Sequence, residues 1–218
     1  MKQTMAINNI TAQLQQANHY SLSSQQAVVA QLMEENDLVM AILQAIKTLP
    51  GAWVGAGLIF QNIWNQYHGF APNSHIKDID ILYWDDSDLS WAAENAQIEK
   101  LKQRLADIRL IINFPADLPI DMKNIARVHL WYEERFGIKK TPYQSVEESI
   151  ATWPVIAGCL AMRLDASGGD IEFCAPFGFA DALAMRVRPN KVLIGQDIYQ
   201  AKAQKWQQQW PQLTVFPW

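Results

Sequence analysis

The sequence predicts an α+β fold with a β-hairpin and a helix toward the carboxyl end. Three observations support it. Apolar residues recur at helical spacing before any strand is reached. Short alternating runs then interleave with helices, the clearest being Lys77-Asp78-Ile79-Asp80-Ile81-Leu82-Tyr83-Trp84. Finally, Val155 to Leu164 and Asp170 to Cys174 read as strands on either side of the turn Ala166-Ser167-Gly168-Gly169.

Composition narrows the classes. The chain has 218 residues, half of them hydrophobic, and a net charge of -4. That length suits one compact unit, divided here into a helical lead-in over 1–49 and a main domain over 50–218. Mild acidity argues against gripping nucleic acid by charge alone, but a nucleotide remains open because a metal can neutralise its phosphates. The two cysteines, Cys159 and Cys174, lack zinc spacing and read as buried thiols of a reducing cytoplasm. No apolar run reaches membrane-spanning length, and residues 1–26 are polar, without a targeting pattern and loosely ordered at their start.

Ser24 or a neighbouring Ser caps the first clear helix, which carries Val28, Val29, Leu32, Met33, Leu38, Ile42, Leu43 and Ile46. Glu35-Asn36-Asp37 splits it in two, and Pro50-Gly51 ends it. Trp53-Val54 begins a short strand, Gly55-Ala56-Gly57 follows, and a helix runs from Leu58 through Tyr67. Strand, glycines and helix leave helix N-terminal amides open toward an anion, although two glycines alone are better explained by an ordinary strand-to-helix turn. His68 to Lys77 is a loop bordering the next strand; His68 and His75 are either ligand contacts or solvated loop residues.

In the Asp78–Asp80 strand, alternation sends Ile79, Ile81 and Tyr83 to a core and both carboxylates to the other face, roughly 6–7 Å apart. An edge strand with exposed acids is the better explanation of Asp-x-Asp alone, a pattern common by chance. A divalent cation would turn the like-charge repulsion into binding, and the neighbouring segments raise that reading. Asp85, Asp86 and Asp88 read as caps of a helix from Trp91 to Ala106. Ile108 to Asn113 reads as a strand and Phe114 to Pro119 as a turn. Ile120 to Lys123 is then a strand with Met122 in the core and Asp121 and Lys123 on the acid face. A third carboxylate suits two cations about 3.5–4 Å apart. Lys123 either binds phosphate or offsets the local charge.

Ile125 to Phe136 is expected as a helix with Val128, Leu130, Trp131 and Phe136 inward, ending at Gly137. Arg127 is a candidate phosphate partner, and His129 is a packed helix residue rather than a base. Ser145-Val146-Glu147-Glu148 is a capping box. Asp197 caps a last helix through Gln209, and Trp206, Trp210, Phe216 and Trp218 supply a final apolar surface.

Several segments together resemble a known family: Gly55-Ala56-Gly57 with Gln61-Asn62-Ile63-Trp64-Asn65, Asp78-Ile79-Asp80, Lys123 through Tyr132, Ala175-Pro176-Phe177-Gly178, Arg188-Pro189-Asn190 and Trp210-Pro211. From about residue 30 onward the chain is similar to a bacterial nucleotidyltransferase-like family, formerly a domain of unknown function, in the DNA polymerase beta-like superfamily. The resemblance implies a small mixed β-sheet flanked by helices and a glycine turn, Gly55-Ala56-Gly57, on a nucleoside triphosphate. It also implies Asp78, Asp80 and Asp121 as catalytic ligands of two Mg²⁺ (or Mn²⁺) ions. Lys123 and Arg127 are the added phosphate partners. The expected reaction is nucleotidyl transfer to an acceptor hydroxyl of a small molecule, a protein or an RNA end, with release of pyrophosphate. A non-catalytic nucleotide-binding or regulatory module is the alternative. A metal-dependent glycosyltransferase fits less well, because its fold places several strands and helices before the Asp-x-Asp motif.

Overall fold

The computed structural model describes residues 2–111 and 118–218. Three helices lead in: α1 (Lys2–Ala17), α2 (Leu22–Glu34) and α3 (Asp37–Ile46). The amino end is therefore helical from Lys2, where loose order is expected from sequence. Ser21 caps α2 by accepting from the Ser24 amide, and Asn36 caps α3 by accepting from Leu38 and Val39. The split at Asn36 is thus a capping event, since a short polar side chain satisfies amides that a continuous helix would bond internally.

Strand β1 (Trp53–Gly55) runs into α4 (Gly57–His68), and β2 (Ile79–Tyr83) into α5 (Trp91–Ile111). Helix α5 absorbs the start of the strand expected over Ile108 to Asn113; the remainder, with most of the expected turn before Pro119, lies outside the described residues. An apolar run of that length fits a helix or a strand equally well, and continuity with the preceding helix decides it. Strand β3 (Ile120–Asn124) leads into a 3₁₀ segment (Ile125–Leu130) and α6 (Tyr132–Phe136), replacing the single helix expected there. Asn124 is the cause: its side chain accepts from the Ala126 amide and from the Asp85 amide, fixing a tight first turn. Leu130 and Phe136, expected inward, are exposed as a result. Gly137 ends α6 in the left-handed conformation, φ 68°.

Helix α7 (Val146–Ile150) starts at Ser145, which accepts from the Glu148 amide. A 3₁₀ turn (Ile156–Gly158) shortens the strand expected from Val155, leaving β4 (Ala161–Leu164) to form the hairpin with β5 (Ile171–Cys174). Then follow α8 (Ala180–Leu183), β6 (Arg186–Val187), α9 (Gln196–Gln209) and β7 (Thr214–Val215). Gly195, not Asp197, sits at the cap of α9, with Asp197 inside the first turn where the helix dipole favours an acid.

The main sheet is mixed, in the order β3-β2-β1-β4-β5, with β2 and β3 parallel and the other neighbours antiparallel. Its two faces bury different cores. Val54, Ile79, Ile81, Met122 and Met162 join the larger one with residues of α1 to α5, including Leu14, Ile42 and Trp64. Trp53, Leu82, Ala161 and Cys174 join a smaller one with Val128, Tyr132, Tyr143 and Ile150. The smaller core leaves part of its sheet face uncovered, and the acids lie there. Among the described residues no helix is long and apolar enough to cross a membrane. Both cysteines are free and buried.

Candidate active site

Alternation along β2 sends Asp80 and Leu82 to the smaller-core face, and along β3 it sends Asp121 and Lys123 there. The parallel ladder pairs Asp80 with Asp121 and Leu82 with Lys123. Paired residues on neighbouring strands stand about 4.8 Å apart along the hydrogen-bonding direction, so two carboxylates distant in sequence share one patch. Asp78, one residue before β2, lines the same cleft as Asp80. The electrostatics report the crowding. Burial first, then the charges of Asp78 and Asp121, push the Asp80 carboxyl up to about 6, against the lowering pull of Lys123 and Lys202.

The Asp121 carboxylate is held by the Lys123 ammonium, an ion pair between two partly exposed side chains. Among the described residues no group of three His, Cys, Asp or Glu side chains stands in metal-holding geometry. The donor chemistry nevertheless suits a hard cation: the acids gathered here offer carboxylate oxygens only.

The cleft encloses about 610 Å³. Ala56 and Gly57 line it where α4 begins, and no side chain caps that end of the helix. Gly55 has a different task. A Cβ there would meet the Trp153 ring at 2.8 Å and the Asp80 Cβ at 3.2 Å, so its missing side chain lets Trp153 close over the strand beside the acid. Gln61 lines the cleft one turn into α4, and its Oε1 is buried without a hydrogen-bond partner.

Arg127 does not reach the cleft. Its guanidinium pairs with the Glu94 carboxylate, both nearly buried, and its Nε donates to the Leu89 carbonyl at 2.8 Å. Glu94 also accepts from the Asn124 amide at 2.7 Å. The phosphate role expected for Arg127 is therefore replaced by a structural one, tying α5 to the end of β3. His75 lines the cleft, whereas His68 packs elsewhere, its Nδ1 2.8 Å from the Trp64 carbonyl and its ring stacked on Phe70. His129 Nδ1 is buried and unpartnered.

Three cleft lysines had no role assigned from sequence: Lys77, Lys202 and Lys205. The i, i+3 spacing of the last two marks one face of α9, and Ile198, Trp206 and Gln209 extend the same cleft-facing stripe. Helix α9 is seated on α4 by Trp210, fully buried, whose Nε1 donates to Asn65 Oδ1 at 2.9 Å.

A family model described as nucleotidyltransferase matches residues 43–215. The chain belongs to the nucleotidyltransferase family. The match spans the five-stranded sheet, the cleft and α9, while α1, α2 and the start of α3 precede it. Among curated proteins none matches the chain. A solved structure whose title reports that the NMR structure reveals a CCA-adding enzyme head domain superposes with a TM-score of 0.65 at 23% identity. It covers 88% of this chain and 96% of its own. At that identity the likeness speaks to the fold: a mixed sheet with helices, as described here.

Proposed function

We propose that this nucleotidyltransferase moves a nucleoside monophosphate from a nucleoside triphosphate to an acceptor hydroxyl, with release of pyrophosphate and dependence on a divalent cation. The observation that carries the reading is the register pairing of Asp80 with Asp121, with Asp78 and Asp80 lining a cleft that also holds the uncapped start of α4. Asp78, Asp80 and Asp121 are the residues that would hold Mg²⁺ or Mn²⁺. When bound, such a cation supplies neutralising charge at the phosphates and activation of the acceptor oxygen.

The chain's own groups have separate tasks. The amides at Ala56 and Gly57 receive phosphate oxygens, helped by the helix dipole. Gln61, with its unpartnered oxygen, orients a donor group of the substrate. The acceptor oxygen attacks the α-phosphorus, the bond to the bridging β-oxygen breaks, and pyrophosphate leaves. The acceptor's proton passes to a carboxylate oxygen of Asp121. Lys123 offsets the charge on Asp121 before substrate arrives, and its flexible stem allows it to turn toward phosphate. The acceptor is a hydroxyl of a small molecule, a protein or an RNA end.

That ion pair also favours a second reading, a nucleotide-binding or regulatory module without turnover, because Asp121 is already neutralised within the chain. The two separate cleanly. Protein, Mg²⁺, labelled nucleoside triphosphates and candidate acceptors are mixed, and label transfer and pyrophosphate release are followed. Transfer that disappears in the Asp78→Ala, Asp80→Ala double variant supports the enzyme. Transfer that survives it removes these residues from the chemistry. Calorimetric nucleotide binding with no pyrophosphate released favours the module.

A further inference from the structure

Lys77, Lys202 and Lys205 converge on one stretch of the cleft from segments more than a hundred residues apart. Among the described residues none of the three is in an ion pair, although Asp78 and Asp80 line the same cleft. Their proximity is felt: burial, then the charges of Lys77 and Lys202, lower the Lys205 ammonium, while Asp78 opposes this. Like charges are gathered at a concave site only at a cost, which an anion of high charge density offsets. The stripe on α9 is not a loose surface feature. Ala203 and Tyr199 on its other side are buried in the main core, and Trp210 anchors its end through Asn65.

We infer that Lys77, Lys202 and Lys205 form a polyphosphate subsite that holds the departing two phosphates of a nucleoside triphosphate, and so binds inorganic pyrophosphate without any nucleoside. The inference rests on the nucleotidyl-transfer reading and extends it by assigning the leaving group to α9 instead of to the glycine turn. The chemistry matches: ammonium groups are compact point charges suited to phosphate oxygens. Three ammonium groups gathered in one cleft suit two or three linked phosphates better than a single one. Holding the leaving group also makes pyrophosphate a product inhibitor competitive with the nucleotide.

Isothermal titration of the full chain with sodium pyrophosphate, and separately with inorganic phosphate, tests this. All three lysines are exposed, so the Lys202→Gln, Lys205→Gln double variant retains the fold, which circular dichroism verifies. A Lys202→Arg, Lys205→Arg variant keeps the charge. The expected result is pyrophosphate bound at least ten-fold tighter than phosphate, at least a ten-fold loss in the Gln variant, and near-native affinity in the Arg variant. Pyrophosphate affinity within two-fold of native in the Gln variant overturns the inference, as does phosphate binding equal to pyrophosphate binding, or none of either. Transfer is not part of this readout. A chain that binds pyrophosphate through these lysines but transfers no nucleotide defeats the transfer reading alone. Active transfer with unchanged nucleotide KM in the Gln variant defeats the lysine subsite alone.

Discussion

Asp80 and Asp121 face each other across the parallel β2–β3 ladder, forty-one positions apart in the chain and in register in the sheet. Burial first, then the charges of Asp78 and Asp121, raise the Asp80 carboxyl, which makes the acid cluster a stability liability as well as a candidate chemical centre.

The pH dependence follows from that. An acid raised to about 6 in the folded state, against 3.8 as its ordinary value, binds more protons folded than unfolded between those limits. Stability therefore falls as pH rises through the interval, the penalty being complete above about 6 and absent below about 4. Asp80→Asn removes it. The variant is expected to be more stable than native at pH 8, by at most about 3 kcal/mol at 1.36 kcal/mol per unit, with the gain vanishing near pH 4. Urea unfolding at pH 4, 6 and 8 measures this; a gain independent of pH would refute the electrostatic account.

Gly55→Ala is expected to destabilise the fold by about 1–3 kcal/mol through overpacking, since the new methyl meets Trp153 and Asp80. Gly57→Ala is expected to cost less. The nearest atom its methyl meets is the end of a flexible side chain, Gln61 Nε2 at 3.2 Å. Thermal melts of the two variants side by side show the difference. Equal losses would mean that the strand–Trp153 contact is not what requires glycine.

Arg127→Met leaves the Glu94 carboxylate buried without its partner. A loss of about 3–5 kcal/mol is expected, with the nucleotide KM unchanged for whatever folded fraction remains. A raised KM in a stably folded variant would restore Arg127 to the binding site.

Cys159 and Cys174 are expected to resist alkylation. Burial pushes the Cys159 thiol up to about 12 and the Cys174 thiol to about 11, so little thiolate exists at pH 8. Iodoacetamide labelling at pH 8, followed by mass spectrometry, should modify neither until denaturant is added. Rapid labelling of the native chain would contradict their burial.

Much of the candidate site was readable in the residues. The alternation in Asp78-Ile79-Asp80-Ile81 places its acids opposite a core, and Asp121-Met122-Lys123 repeats the pattern, because strand geometry alone sorts neighbouring side chains between faces. The α2–α3 break and the hairpin were likewise legible, since Asn36 and Gly168-Gly169 act on their own backbone. What was misread depended on partners elsewhere. Leu130 is apolar and sits in a helical pattern, yet the Asn124 turn rotates it outward. Arg127 carries the right charge beside the right strand, but Glu94, thirty-three positions earlier, claims it.

Local order along the chain thus set which residues are acids on strands, which are caps and which are turns, since those depend on backbone geometry within a few positions. Pairing Asp80 with Asp121, withdrawing Arg127 into an ion pair and bringing Lys202 and Lys205 up to Lys77 required the assembled sheet and the docking of α9 through Trp210. Contacts between distant segments carry no periodic trace in either segment, because each is satisfied by a partner whose position only the packed core defines.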